Sequence, residues 1–169
     1  MPRVELQRSL GVPSVPARSA VSSILHAIQE ERGDWREFAL YLDFASLGLP
    51  DVGYVAIPAR IANLDESLEP RHQIRFTLCA RRSPERFPKF GGAMGIDPNG
   101  PSESIVWLAG DYDVPLHGLG VVIDRTFARG NAEKALDNML EELADAIQAK
   151  VQQRERANMR YRLIFNTGD

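Results

Sequence analysis

The sequence has a single cysteine, Cys79, in 169 residues, so no internal disulfide holds it together and a reducing compartment is expected. It has no apolar run long enough to cross a bilayer, which leads us to expect no integral membrane association. Pro2, Pro13 and Pro16 interrupt the N-terminal stretch, no charged-then-apolar leader is read there, and the cytoplasm is the expected location. Basic excess is missing too: the formal charge is -3, so no nucleic-acid partner is expected unless a local patch recruits one. There is no phosphate-cradling glycine loop, no dinucleotide fingerprint after a first strand and no serine elbow. These absences speak against nucleotide hydrolysis, dinucleotide redox chemistry and α/β-hydrolase catalysis. Of the histidines, His26 falls on a helix, His72 at a strand start and His117 in a turn, with no repeated ligand spacing. No metal and no cofactor are expected.

What is present is the make-up of an ordinary globular protein, 44% hydrophobic and 25% charged, in a length typical of one domain. We read residues 1–169 as one domain, with 151–169 a polar C-terminal extension. Weak alternation over residues 3–10 suggests a first strand that ends at Gly11-Val12-Pro13. Ser19 is a plausible N-cap for a helix reaching about Arg32, since Val21, Ile24, Leu25 and Ile28 share a face and Gly33 follows. Residues 34–47 fit a helix capped by Asp34 or a strand carrying Phe38, Leu40, Leu42 and Phe44; the capping signal favours the helix.

From Val52 the period becomes two, with Val55, Ile57, Ala59 and Ile61 on one face. Pro58 lacks an amide donor, which suggests an edge strand or a bulge. A polar loop over 63–71 precedes residues 73–81, where Ile74, Phe76, Leu78 and Ala80 face inward and Arg75, Thr77, Cys79 and Arg81 outward. A turn at Phe87-Pro88 opens another strand, and Asp97-Pro98-Asn99-Gly100-Pro101 connects it to one beginning near Glu103. Short turns between successive strands predict an antiparallel meander. The last of these strands is apolar on both faces at Ile105, Val106, Trp107 and Leu108. The terminal helix carries Ala135, Leu136, Met139, Leu140, Leu143, Ala146 and Ile147 on one stripe. Leu119, Ile123 and Phe127 project to nearly the opposite side, so Gly130-Asn131 reads as a kink or break. Residues 152–158 are polar all round, and 161–165 remain open between a short strand, an intermolecular contact and an ordered tail.

Four signals in order resemble the START/Bet v 1-like helix-grip superfamily (SRPBCC), in particular an uncharacterised bacterial branch. They are Val55-Ala56-Ile57-Pro58-Ala59-Arg60, Phe87-Pro88-Lys89-Phe90-Gly91-Gly92, Gly110-Asp111-Tyr112-Asp113-Val114-Pro115-Leu116 and Gly120-Val121-Val122-Ile123-Asp124-Arg125. The resemblance implies an α+β fold in which an antiparallel curved sheet wraps around a long C-terminal helix, with a hydrophobic cavity between them. It implies a small hydrophobic molecule as ligand, bound, transported or sequestered, with no catalytic residue assigned. A polyketide cyclase or dehydratase-like enzyme, or an interaction module with a collapsed cavity, are the alternatives, and a homodimer is allowed.

On that basis Phe87, Phe90, Met94, Trp107, Tyr112, Met139 and Leu143 are candidates for the cavity wall, or else fill a core. Arg125 is either the anchor of a ligand carboxylate at the cavity mouth or half of a buried ion pair, and the ion pair is favoured. Asp111 and Asp113 share a face and, with His117, offer an acid and base for the enzyme reading, against the plainer role of wet residues at a strand end. Arg75, Arg81, Arg82, Arg86 and Lys89 form one basic cluster and Arg154, Arg156, Arg160 and Arg162 another. Phe76 lies opposite Arg75, so neither cluster reads as a stacking platform for bases, and a solvated rim is expected. Cys79 has Arg75 and Arg81 nearby but no adjacent histidine to activate it.

Overall fold

Two-residue alternation builds most of this chain, and helical spacing closes it. The computed structural model describes residues 3–43, 45, 53–113 and 125–165. In order, these form β1 (Arg3–Leu10), α1 (Ser14–Gln29), β2 (Ala39–Asp43), β3 (Tyr54–Ser67), β4 (Gln73–Ala80), β5 (Lys89–Pro98), β6 (Ser104–Asp113) and α2 (Arg125–Phe165). The strands pair antiparallel throughout, in the spatial order β1-β6-β5-β4-β3-β2. The meander from β2 to β6 is thus extended by β1 at the far side, and α1 carries the chain from one sheet edge to the other. A register shift between Ala62 and Asp65, with Asn63 in the left-handed region at φ 53°, bulges β3 and bends the sheet.

The concave face is apolar because each strand sends alternate residues there: Val4 and Leu10, Ile57 and Ile61, Phe76 and Leu78, Leu108 and Tyr112 are all buried. Against it lies the α2 stripe of Leu136, Leu140, Leu143 and Ile147. Helix α2 approaches both edge strands, β1 and β2, and packs on α1, so the sheet curls around it. Arg8 on β1 pairs with Asp137, and Gln148 Oε1 accepts the Gly11 amide at 2.8 Å. No helix among the described residues is long and apolar enough to cross a membrane.

Several expectations are corrected. Helix α1 begins at Ser14 with Pro13 as N-cap, five residues before Ser19. Pro16 falls in the first turn, whose amides have no intrahelical partner, so it costs no hydrogen bond there. Ser19 is interior, and its hydroxyl accepts from Arg154 Nη1 at 3.0 Å. The helix ends at Gln29, short of Arg32, with Glu31 and Gly33 at positive φ turning the chain.

The described part of 34–47, up to Asp43, is not the expected helix: a 3₁₀ turn, Gly33–Glu37, uses up the capping signal, and Leu40 and Leu42 pair with Ile57 and Val55, while Phe44, Ser46 and Leu47 lie outside the described residues. Cross-strand partners outweigh local preference here. Pro58 is on an interior strand, not an edge. It is accommodated where the ladders end, since its carbonyl accepts the Arg81 amide while Ala59 donates to Phe38. The bulge lies further along β3, which continues to Ser67 through half of the expected loop.

Cys79 is buried despite its outward parity. Helix α2 runs unbroken through Gly130-Asn131 and takes in 161–165 as its last turns. Leu119 and Ile123 lie outside the described residues, as does the side chain of Phe127.

One contact positions the site described below. Gly92 and Gly110 are cross-strand partners, and the Phe90 ring lies over their bare backbone. A Cβ at Gly110 would stand 2.7 Å from Phe90 Cζ and 2.5 Å from the Gly91 carbonyl oxygen. Gly110→Ala is therefore expected to push the ring away and to cost about 1–3 kcal/mol as an overpacking change, measured by urea unfolding.

Candidate functional site

Between the first turns of α2 and the β2–β4 side of the sheet, the side-chain layer thins. Helix α2 turns Ala132 and Ala135 toward the sheet before Leu136, and alanine is too short to reach the opposite wall. Leu40, Leu42, Ile57 and Leu78 face it from the strands, with Phe87, Pro88, Phe90 and Tyr112 closing one end. The recess holds about 460 Å³ of empty space counting its mouth, of which about 30 Å³ is clear for a water-sized sphere. That is room for one or two waters, far below the several hundred Å³ of a typical small-molecule site.

The wall is hydrocarbon almost throughout. Among the described lining residues the polar exception is Tyr112, 1% exposed, whose hydroxyl donates to Glu133 Oε1 at 3.4 Å. The ring of Phe90 packs on that of Phe76, 5.8 Å between centroids, so Phe90 is held from both sides. Beside the recess, Lys134 Nζ reaches Asp43 Oδ2 at 3.3 Å and the Tyr54 hydroxyl at 3.5 Å. Those two bonds hold the lysine above its ordinary range and fasten α2 to β2 and β3.

Of the candidate wall residues, the structure gathers Phe87, Phe90 and Tyr112 at the recess. Met94 faces the same way but lies four residues further along β5, fully buried in the core. Met139 and Leu143 are core residues one and two turns beyond Leu136. Trp107 is on the opposite face of the sheet, because Val106 and Leu108 take the inward positions of β6. There the Arg71 guanidinium covers its ring at 4.3 Å and pairs with Asp97. Arg125 opens α2, and its side chain lies outside the described residues.

Sequence reasoning missed Leu40, Leu42, Ile57, Ala132 and Ala135. The visible signal was Ala132 and Ala135, two short side chains about one turn apart at the start of the apolar stripe.

The remaining candidates have structural surroundings. Asp111 and Asp113 are exposed, away from the recess, opposite Gly91 and Lys89, and His117 is outside the described residues. His72 is buried, its Nδ1 accepting the Ile96 amide at 3.1 Å, which leaves Nε2 to donate to Glu66 at 3.2 Å. His26 contacts the Ser22 carbonyl one turn back. Arg81 braces the sheet margin through the Ala59 and Arg36 carbonyls. No group of three or more metal-ligating side chains is found among the described residues.

The chain matches no protein-family model and no curated protein. Its fold is similar to several solved structures. The Zhui aromatase/cyclase from Streptomyces sp. R1128 aligns over 93% of this chain and 97% of its own at 16% identity, with a TM-score of 0.56. Norcoclaurine synthase from Thalictrum flavum, in complex with dopamine and hydroxybenzaldehyde, aligns over 90% and 87% at 11% identity, with a TM-score of 0.53. A conserved protein from Geobacillus kaustophilus aligns over 90% and 96% at 12% identity, also with a TM-score of 0.53. With a curved antiparallel sheet closed by one long terminal helix, the chain has the START/Bet v 1-like helix-grip fold.

Proposed function

We propose that this protein binds a small, largely apolar molecule in the recess between its sheet and the first turns of α2. The observation that carries this reading is a hydrocarbon-walled recess where α2 presents Ala132 and Ala135 to the sheet. An evolved core would gain by filling such a gap with leucine. Phe87 and Tyr112 suit a flat or aromatic ligand, and the Tyr112 hydroxyl offers one polar contact at the inner end. The fold likeness to a structure in complex with dopamine and hydroxybenzaldehyde, and to an aromatase/cyclase, supports a small aromatic ligand.

Entry requires the walls to part. The Lys134 clasp, exposed on the lysine side, is a surface pair weak enough to allow this. Asp111 and Asp113, two of the groups an enzyme reading would use, are exposed and away from the recess, and its hydrocarbon wall favours binding, in the sense of carriage or sequestration.

Delipidated protein is expected to take up an anilinonaphthalene fluorophore saturably, one per chain. At a probe concentration near 100 Kd the gain is about 2.7 kcal/mol, or roughly 5–10 °C in Tm for a chain this size. Ala135→Phe fills the recess and should weaken uptake at least roughly ten-fold, about 1.4 kcal/mol, with unchanged circular dichroism. No saturable uptake, or uptake indifferent to Ala135→Phe, overturns the proposal.

Lys134→Ala releases the clasp. It is expected to lower stability only slightly while speeding hydrogen exchange of the β2 amides and association of the probe, read by mass spectrometry and stopped mixing respectively.

A further inference from the structure

Helix α2 does not stop where its packing stops. Val151 is the last buried residue described, and positions 152–162 are exposed on every side. A free helix of such length is marginal in water, because propagation barely repays nucleation. Its exposed charges are segregated apart from Lys134 and Glu155: Glu141, Glu142 and Asp145 precede the end of the packed part, and Arg156, Arg160 and Arg162 follow it. Like charges thus stand one turn apart at Glu141/Asp145 and at Arg156/Arg160, an arrangement that disfavours an isolated helix. Among the described residues these six form no ion pair.

The stripe they share has a regular spacing. Asn138, Glu142, Asp145, Ala149, Gln152, Arg156 and Met159 follow one another at alternating steps of four and three, the seam spacing of two helices packed side by side. The seam faces away from the core, since Arg154, on the opposite side of the helix, is bonded to Ser19 of α1. It is also self-complementary when reversed. Asp145 and Arg156 are about 16 Å apart along the axis, three turns, and so lie on one line.

We propose that this stripe is an interface with a second copy of the same chain, docked antiparallel about a two-fold axis between residues 150 and 151. Asp145 then meets Arg156 of the second copy, Glu142 meets its Arg160 and Glu141 its Arg162, and each contact occurs twice, as two-fold symmetry requires. Ala149, small and exposed, lies beside the axis and lets the backbones come close. The basic overhang of the second copy runs along an open groove of about 470 Å³ bounded by Tyr41, Tyr54 and the acidic turns of α2. Met159, 58% exposed in the single chain, is brought to that groove beside Tyr54, itself 62% exposed. The arginines of the final turn also suit the helix dipole, but the dipole does not account for the matching acids or for the seam spacing.

Sedimentation equilibrium of the full chain tests this. At low salt the wild type should reach twice its 18.8 kDa mass, and the assembly should weaken at high ionic strength, where exposed pairs are screened. Asp145→Arg alone and Arg156→Glu alone should each weaken association by at least roughly ten-fold. The two together restore complementarity and should return it to within about three-fold of wild type. Circular dichroism of each variant separates lost assembly from lost folding. A wild type monomeric up to about 100 μM, where even weak specific pairs associate, overturns the proposal, as does a double variant that stays dissociated. A monomeric wild type that binds nucleic acid, with binding lost in Arg156→Glu, also overturns it and assigns the overhang to a polyanion.

Discussion

Everything in this structure depends on one apolar stripe of α2 being held by a sheet curved enough to touch it from both edges. With no disulfide available, the concave side chains of the strands must be covered by the helices, and α2, with α1 beside it, is the one that reaches both β1 and β2. The β3 bulge supplies curvature that a flat meander would lack. Polar ties at the margins, Arg8 to Asp137 and Gly11 to Gln148 on one side and Lys134 to Asp43 on the other, locate the helix without filling the space under it.

What fills that space changes along the helix. From Leu136 through Leu140, Leu143 and Ile147 to Val151 the stripe is large, α1 adds Val21, Ile24 and Ile28, and packing is dense. At Ala135 and Ala132 the α2 side chains that face the sheet are short. Core and recess are therefore two ends of one interface, graded by residue volume. A ligand in the recess would complete the layer that leucines complete elsewhere. The aromatic end is preorganised by backbone: Phe90 keeps its position because Gly92 and Gly110 present no Cβ beneath it.

How much of this was legible varied with the physics of each segment. β4 and the packed half of α2 were legible because one face is buried and the other wet, so the period appears in composition. The strand-to-helix order and the four motif segments were enough to suggest a helix-grip sheet. β2 was not legible, since Asp34 looks like a helix cap and the pairing that makes a strand of Leu40 and Leu42 comes from β3, distant in sequence. β6 is apolar on both faces, which hid its parity and put Trp107 on the wrong side. Yet Tyr112 and Leu108 share parity with Val106, so choosing the tyrosine inward would have turned the tryptophan out. At the site, Phe87, Phe90 and Tyr112 were named because aromatic residues attract notice. Ala132 and Ala135 were passed over because a missing side chain does not.

The net charge of -3 describes the surface poorly. Over residues 133–145, five acids stand against one lysine, whereas over 150–162 five bases stand against one glutamate. The two blocks cancel in the total and remain separate in space, spread along a helix of about 60 Å. Composition therefore argues correctly against a chain-wide attraction for polyanions, but it conceals a strong field directed along α2. Such a field acts over roughly a Debye length, about 8–10 Å in ordinary salt, so its effect is confined to what lies against the helix. The same helix thus has two faces of different character: non-directional burial inward, which sets the fold and the recess, and ordered charge outward, which in the proposed pairing would select an orientation. Since a burial stripe needs only a few residues per two turns, the outward positions were free to carry that second pattern without loss to the first.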